Sequence, residues 1–188
     1  IEIEHGYIKA KANRLRGVHI YFDTPTVTGT ENLMMAACLA DGTTTLENAA
    51  KEPEICDLAD FLVKRGARIA GAGSDVISIE GVASLHGADH EVIPDRIETG
   101  TYLIAGAITG GDILVERCRP SHLEALLVKL REAGADIHED KESIRLRAHT
   151  PLKGTNVRTC PHPGFPTDMQ AQFVALMAVS EGTSVITE

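Results

Sequence analysis

Leu123, Leu126, Leu127 and Leu130 recur at i, i+3, i+4 and i+7, the spacing that lines one face of a helix. Leu58, Phe61 and Leu62 repeat that spacing earlier in the chain. Each run sits in a longer stretch, DLADFLVKRGARI (57–69) and EALLVKLREAGADI (124–137), that predicts a helix, a glycine stop and a strand. Gly66 and Gly134 stand where a helix end takes up a left-handed residue, which glycine adopts without a Cβ penalty. Strict alternation in VISIE (76–80) and SIRLR (143–147) predicts half-buried strands, because successive strand side chains face opposite ways.

These elements belong to an internal repeat. MAACLADGTTTLENA (35–49), IAGAITGGDILVERC (104–118) and ALMAVSEGTSVITE (175–188) share small and apolar residues, a glycine turn and a β-branched run. The turn glycines Gly42, Gly111 and Gly182 lie about 70 residues apart. Each unit opens with a predicted strand: GVHIYFD (17–23), HEVIPD (90–95) and NVRTC (156–160). Helices are predicted to follow from near Thr28, Thr99 and Thr167. Two of these starts read as capping boxes, Thr28 with Glu31 and Thr167 with Gln170, in which side chains and first-turn N–H groups satisfy each other. The predicted fold class is therefore α/β, in repeated βαβαββ units of which about two and a half are present. The third copy stops at Glu188 before its second helix and the chain opens on Ile1, so an excised segment of a longer protein is expected. GVASLHGADH (81–90) separates the first two units, and a boundary between lobes is expected near Pro94.

Composition narrows the function. Hydrophobic residues at 43% and charged residues at 24% are ordinary for a soluble globular chain. No run of about 18 apolar residues offers a membrane span, and no basic segment followed by an apolar one marks a secretory leader. A cytoplasmic protein with no membrane partner is the expectation. The net charge of −9 argues against nucleic acid, whose phosphates most of the surface would repel. An anionic small molecule would instead need local cations or helix N-termini. Cys38, Cys56, Cys118 and Cys160 match no CxxC or zinc spacing. They read as small buried hydrophobes in a reducing compartment, with no metal or cofactor implied.

Three loops precede the predicted first helices: DTPTVTGTEN (23–32), PDRIETGTY (94–102) and PHPGFPTDMQAQF (161–173). All three would aim helix N–H groups toward one end of the architecture, where an anion can sit. The last is stiffened by three prolines, each fixing φ near about −65°. Beyond it Asp168 opens a helix whose apolar face carries Met169, Phe173, Leu176 and Met177. Two readings stand at Asp168. It complements the helix dipole, or it is a carboxylate presented to a substrate hydroxyl as general base. Arg96 is placed to meet a phosphate or to form an Arg–Glu contact between lobes. His162 lies two residues past Cys160, but extended chain and prolines hold the pair apart, which favours a hydrogen-bonded loop histidine.

The blocks GYIKAKA (6–12), TVTGTEN (26–32), ENAAKEPEICDLADFL (47–62), PDRIETGTYL (94–103), KLREAGADI (129–137), NVRT (156–159) and the proline loop run in order along essentially all of the chain. Together they resemble the family of UDP-N-acetylglucosamine 1-carboxyvinyltransferases, the enolpyruvyl transferases of peptidoglycan synthesis. The resemblance implies two lobes of three βαβαββ units each, in an inside-out α/β barrel arrangement, with substrates in the cleft between them. Residues 1–93 would be the later part of the first lobe and 94–188 the early part of the second.

The implied reaction moves enolpyruvyl from phosphoenolpyruvate to the 3-hydroxyl of UDP-N-acetylglucosamine and releases phosphate, with no cofactor. The resemblance assigns Asp168 to deprotonating that hydroxyl. It assigns Thr24, Pro25, Thr26 and Val27 to contacts with the uridine and diphosphate. Thr24 departs from members with lysine there, whereas backbone contacts of the next three residues do not depend on side chain. Arg96 and His162 remain secondary candidates. The family's proton-donor cysteine and phosphate-clamping arginines match no position here, so this chain alone is expected to be inactive and to self-associate through exposed repeat faces. The rival readings are the sister transferase acting on shikimate 3-phosphate and a non-catalytic anion-binding repeat module.

Overall fold

The computed structural model describes residues 1–188, which divide into two compact units, Ile1–Glu91 and Val92–Glu188. The first unit opens with an antiparallel hairpin, β1 (Glu2–Glu4) and β2 (Tyr7–Lys9), which the sequence pattern does not announce. There follow β3 (His19–Tyr21), α1 (Val27–Ala37), β4 (Thr43–Glu47), α2 (Pro53–Lys64), β5 (Arg68–Ala70) and β6 (Val76–Glu80). These strands form one sheet in the order β3-β4-β6-β5, with β3 and β4 parallel and the other neighbours antiparallel. Met34, Leu46, Ile55, Leu62, Ile77 and Ile79 fill the core of this unit.

The second unit contains α3 (Arg96–Ile108), β7 (Asp112–Glu116), α4 (Glu124–Glu132), β8 (Asp136–Glu139) and β9 (Ser143–Arg147), with sheet order β7-β9-β8. It then begins a further copy with β10 (Val157–Arg158), α5 (Gln170–Ala178) and β11 (Ile186–Thr187), the two short strands pairing in parallel. Its core joins Leu103, Leu126, Leu130, Ile144, Met169 and Phe173. No helix is long and apolar enough to cross a membrane.

The repeat is visible in the hydrogen bonds. α2 ends with Gly66 at φ 99°, where Ala67 N–H donates to Leu62 O at 3.0 Å and Gly66 N–H to Val63 O at 2.9 Å. α4 ends in the same way, with Gly134 at φ 102°, Ala135 N–H on Leu130 O at 3.0 Å and Gly134 N–H on Arg131 O at 2.9 Å. Both are Schellman closures, which satisfy last-turn carbonyls through a left-handed glycine.

Several local expectations are corrected. Residues 90–95 form no strand: Pro94 has no N–H for a ladder, and Asp95 is drawn into capping α3. α3 consequently starts at Arg96, three residues before Thr99, with Asp95 Oδ1 accepting from Ile97 N–H at 2.7 Å and Glu98 N–H at 3.0 Å. Neither predicted capping box forms. Thr28 lies inside α1, and Thr26, extended at φ −135°, is the cap. Thr167–Met169 is a 3₁₀ turn behind Pro166, without a side-chain cap, and α5 begins only at Gln170. The left-handed turn residue of the second copy is Gly110 at φ 64° rather than Gly111. Burial holds for Cys38 and Cys118, whereas Cys56 is half-buried and Cys160 exposed.

Candidate functional site

In the first unit the candidate residues form the approach to α1. Thr24 is exposed, and Pro25, Thr26 and Val27 are half-buried. Thr26 Oγ1 accepts from Gly29 N–H at 3.3 Å, and Thr26 O accepts from Thr30 N–H at 3.0 Å. The cap therefore consumes the Thr26 side chain. The N–H groups of Val27 and Thr28 find no acceptor within the chain, so they remain the open donors of this helix end. Glu31, one turn on, carries a carboxyl pushed above the usual range by burial and by the neighbouring carboxylates Glu54 and Glu52.

In the second unit the proline loop folds back on itself. Cys160 N–H donates to Phe165 O at 2.9 Å and Gly164 N–H to Pro161 O at 2.8 Å. Phe165 is buried and meets Phe173 edge-on, with ring centroids 5.2 Å apart. An aromatic pair in the core thus anchors the loop from below. Past it, Met169 N–H donates to Pro166 O at 3.0 Å, and the Met169 side chain is fully buried. Asp168 sits between these anchors with an exposed carboxylate at the surface of the 3₁₀ turn. Gln172 Nε2 donates to Thr101 Oγ1 at 3.0 Å, which ties α5 to α3.

Arg96 and His162 are brought together: both line one cavity of about 230 Å³ with Ser121, His122, Glu124 and Pro166. Arg96 is only 8% exposed and His162 is half-buried. Asp168 does not line this cavity, and Thr24–Val27 belong to the other unit. The larger hollow of the second unit, about 650 Å³, contains none of the candidate residues. Its walls are largely apolar, with Val128, Val157, Phe165 and Val185 among them, so its size alone does not make it the site. No three His, Cys, Asp or Glu side chains converge closely enough to hold a metal ion.

Two residues close to the first loop escaped the sequence reading. Thr30 is completely buried beneath Thr26, and Asn48 reaches back to Phe22. The only signal in the sequence was their place within the blocks TVTGTEN and ENAAKEPEICDLADFL.

Comparison with known proteins agrees with this architecture. UDP-N-acetylglucosamine 1-carboxyvinyltransferase of Desulfatibacillum aliphaticivorans is 55% identical over 188 residues, all of this chain and 45% of the relative. The protein of the same name from Koribacter versatilis is 58% identical over 185 residues, 98% of this chain and 43% of the relative. The chain thus spans a little under half the length of the curated relatives it matches. Among solved structures, the enolpyruvyl transferase NikO from Streptomyces tendae superposes with a TM-score of 0.78 at 23% identity, covering 94% of this chain and 46% of that one. EPSP synthase from Acinetobacter baumannii superposes with a TM-score of 0.62 at 22% identity, covering 92% and 41%. Identities this low speak for the fold alone, and the fold is that of the enolpyruvyl transferases. The family model for EPSP synthase (3-phosphoshikimate 1-carboxyvinyltransferase) matches residues 1–188, and the chain belongs to that family.

Proposed function

We propose that this chain supplies part of the nucleotide-sugar site and the general base of a UDP-N-acetylglucosamine 1-carboxyvinyltransferase, working in the cytoplasm at the first committed step of peptidoglycan synthesis. The observation that carries the proposal is the identity of 55% and 58% to relatives bearing that name, over all or nearly all of the chain. The local geometry supports it from both units. Thr24–Val27 lead into the open N–H groups of Val27 and Thr28, and such donors at a helix start favour a diphosphate. Their backbone origin explains why a threonine at position 24 suffices. On this reading residues 1–93 belong to one lobe of the enzyme and 94–188 to the other.

Asp168 receives the proton of the sugar 3-hydroxyl as that oxygen bonds to C2 of phosphoenolpyruvate and C3 takes up a proton. Loss of phosphate from C2 and of a proton from C3 then restores the double bond. The carboxylate is suited to the task by position: it is solvent-accessible before substrate binds, and buried anchors on both sides hold its backbone still. Arg96 and His162 share a cavity that Pro166 and Met169 also line but Asp168 does not, and they act as support for the loop in this reading.

The test is phosphate release by the full-length protein, given phosphoenolpyruvate with either UDP-N-acetylglucosamine or shikimate 3-phosphate. Release with the nucleotide sugar alone is expected, and Asp168→Asn should slow it by about 10²–10⁴-fold. If Asp168 only complements the helix dipole, the same substitution leaves the rate intact and costs roughly 0.3–1 kcal/mol of stability. Release with shikimate 3-phosphate alone would overturn the acceptor, and release with neither would leave only the fold.

A further inference from the structure

The candidate loop of the first unit is fastened at both ends to one turn beneath it. Asn48, left-handed at φ 54°, donates from Nδ2 to Phe22 O at 2.7 Å, just before the loop. Phe22 N–H in turn donates to Glu47 O at 3.0 Å. Just after the loop, the fully buried Thr30 donates from Oγ1 to Thr26 O at 2.7 Å and accepts Ala50 N–H at 3.2 Å. The stretch Asn48–Ala50 therefore acts as a buckle under residues 23–26. It fixes the direction in which α1 presents the open N–H groups of Val27 and Thr28.

We propose that Asn48 and Thr30 are positioning residues for nucleotide-sugar binding, acting through the backbone of Thr24–Val27 without touching the ligand. The inference rests on the reading of that loop given above. Its physical basis is preorganisation: donors already aimed at the diphosphate require no ordering on binding, and loosening either end restores that cost. Because the same backbone contacts persist through the reaction, their loss weakens ground state and transition state alike. Such a loss appears in KM and leaves kcat unchanged.

Two substitutions isolate the hydrogen bonds in the full-length protein. Thr30→Val keeps the shape and removes the hydroxyl; Asn48→Gly keeps access to left-handed backbone and removes the amide. Each should raise the Kd for UDP-N-acetylglucosamine, measured by calorimetry, by roughly tenfold. The KM for phosphoenolpyruvate and the kcat at saturating sugar should stay within about twofold. Thr30→Ser, which retains the hydroxyl, should bring the Kd back. An unchanged Kd with a lowered melting temperature would overturn the inference and leave both residues a purely structural role. Should Thr30→Val fail to fold, Asn48→Gly decides alone. A wild-type protein that does not bind the sugar sinks the reading of the loop and this inference with it; wild-type binding with unaffected variants sinks the inference only.

Discussion

Thr26 and Gly29 are matched to each other: the threonine hydroxyl caps α1 by accepting Gly29 N–H at 3.3 Å, and a Cβ on Gly29 would lie 2.4 Å from Thr26 Cγ2. No side chain fits at position 29 while Thr26 keeps its rotamer. Gly29→Ala should therefore expel the Thr26 side chain, losing a cap worth about 0.5–2 kcal/mol. Alanine returns about 0.5–1 kcal/mol of helix propensity, so the two effects on stability largely cancel. The expected result is a melting temperature close to wild type with weaker nucleotide-sugar binding. Adding Thr26→Ser, which removes the colliding methyl, should recover part of the affinity. Calorimetric titration of both variants checks this.

Phe165 holds the proline loop to the core through its edge-on contact with Phe173. Phe165→Ala should cost about 3–5 kcal/mol, the usual penalty for emptying an aromatic site. The loop that leads to Asp168 would lose its anchor at the same time. Denaturant unfolding should give the stability change, and a fall in kcat larger than that of a core variant of the first unit such as Ile79→Ala should reveal the effect on the site.

The two Schellman glycines offer a matched pair. At Gly134 a Cβ meets only Leu152 Cδ2 at 3.8 Å, so Gly134→Ala should cost about 1–2 kcal/mol from left-handed strain alone. At Gly66 it also meets His86 Nε2 at 3.2 Å, so Gly66→Ala must displace that ring and should cost more. Equal losses in the melting curves would show that His86 yields freely.

Glu31 contributes a pH dependence to the first unit. Its carboxyl is raised by burial first, and then by Glu54 and Glu52. An acid raised in the folded state contributes stability when protonated, below its unfolded pKa, and loses that contribution as pH rises through the folded value. At neutral pH the ionised Glu31 is therefore a liability. Glu31→Gln should raise the melting temperature at pH 7, on the order of 1–2 °C. The advantage should shrink as the medium is acidified through the carboxylate range, where wild-type Glu31 is itself protonated. A difference independent of pH would sink the electrostatic explanation.

The sequence by itself determined the elements whose cause is local. Leu126, Leu127 and Leu130 bury one face of α4 because a 3.6-residue period has no other use in a compact chain. Gly66 and Gly134 stop their helices because only glycine takes that backbone freely, and VISIE and SIRLR alternate because a strand does. The stiff loop and Asp168 were legible for the same reason, since prolines act on their own backbone.

Tertiary structure decided whatever depends on residues distant in the chain. Threonines stand at 24, 26, 28 and 30, and the spacing to Glu31 favours Thr28 as the cap. The fold made Thr26 the cap and buried Thr30 against Ala50, because β3 and β4 pair in parallel and set where α1 must start. HEVIPD has a strand's apolar content, yet Pro94 and the pull of Asp95 into α3 left it unpaired. The bond from Asn48 to Phe22 spans 26 residues, a contact no local pattern encodes. The chemistry-bearing side chains could thus be read along the chain, while the hydrogen bonds that aim them exist only once the sheet brings distant turns together.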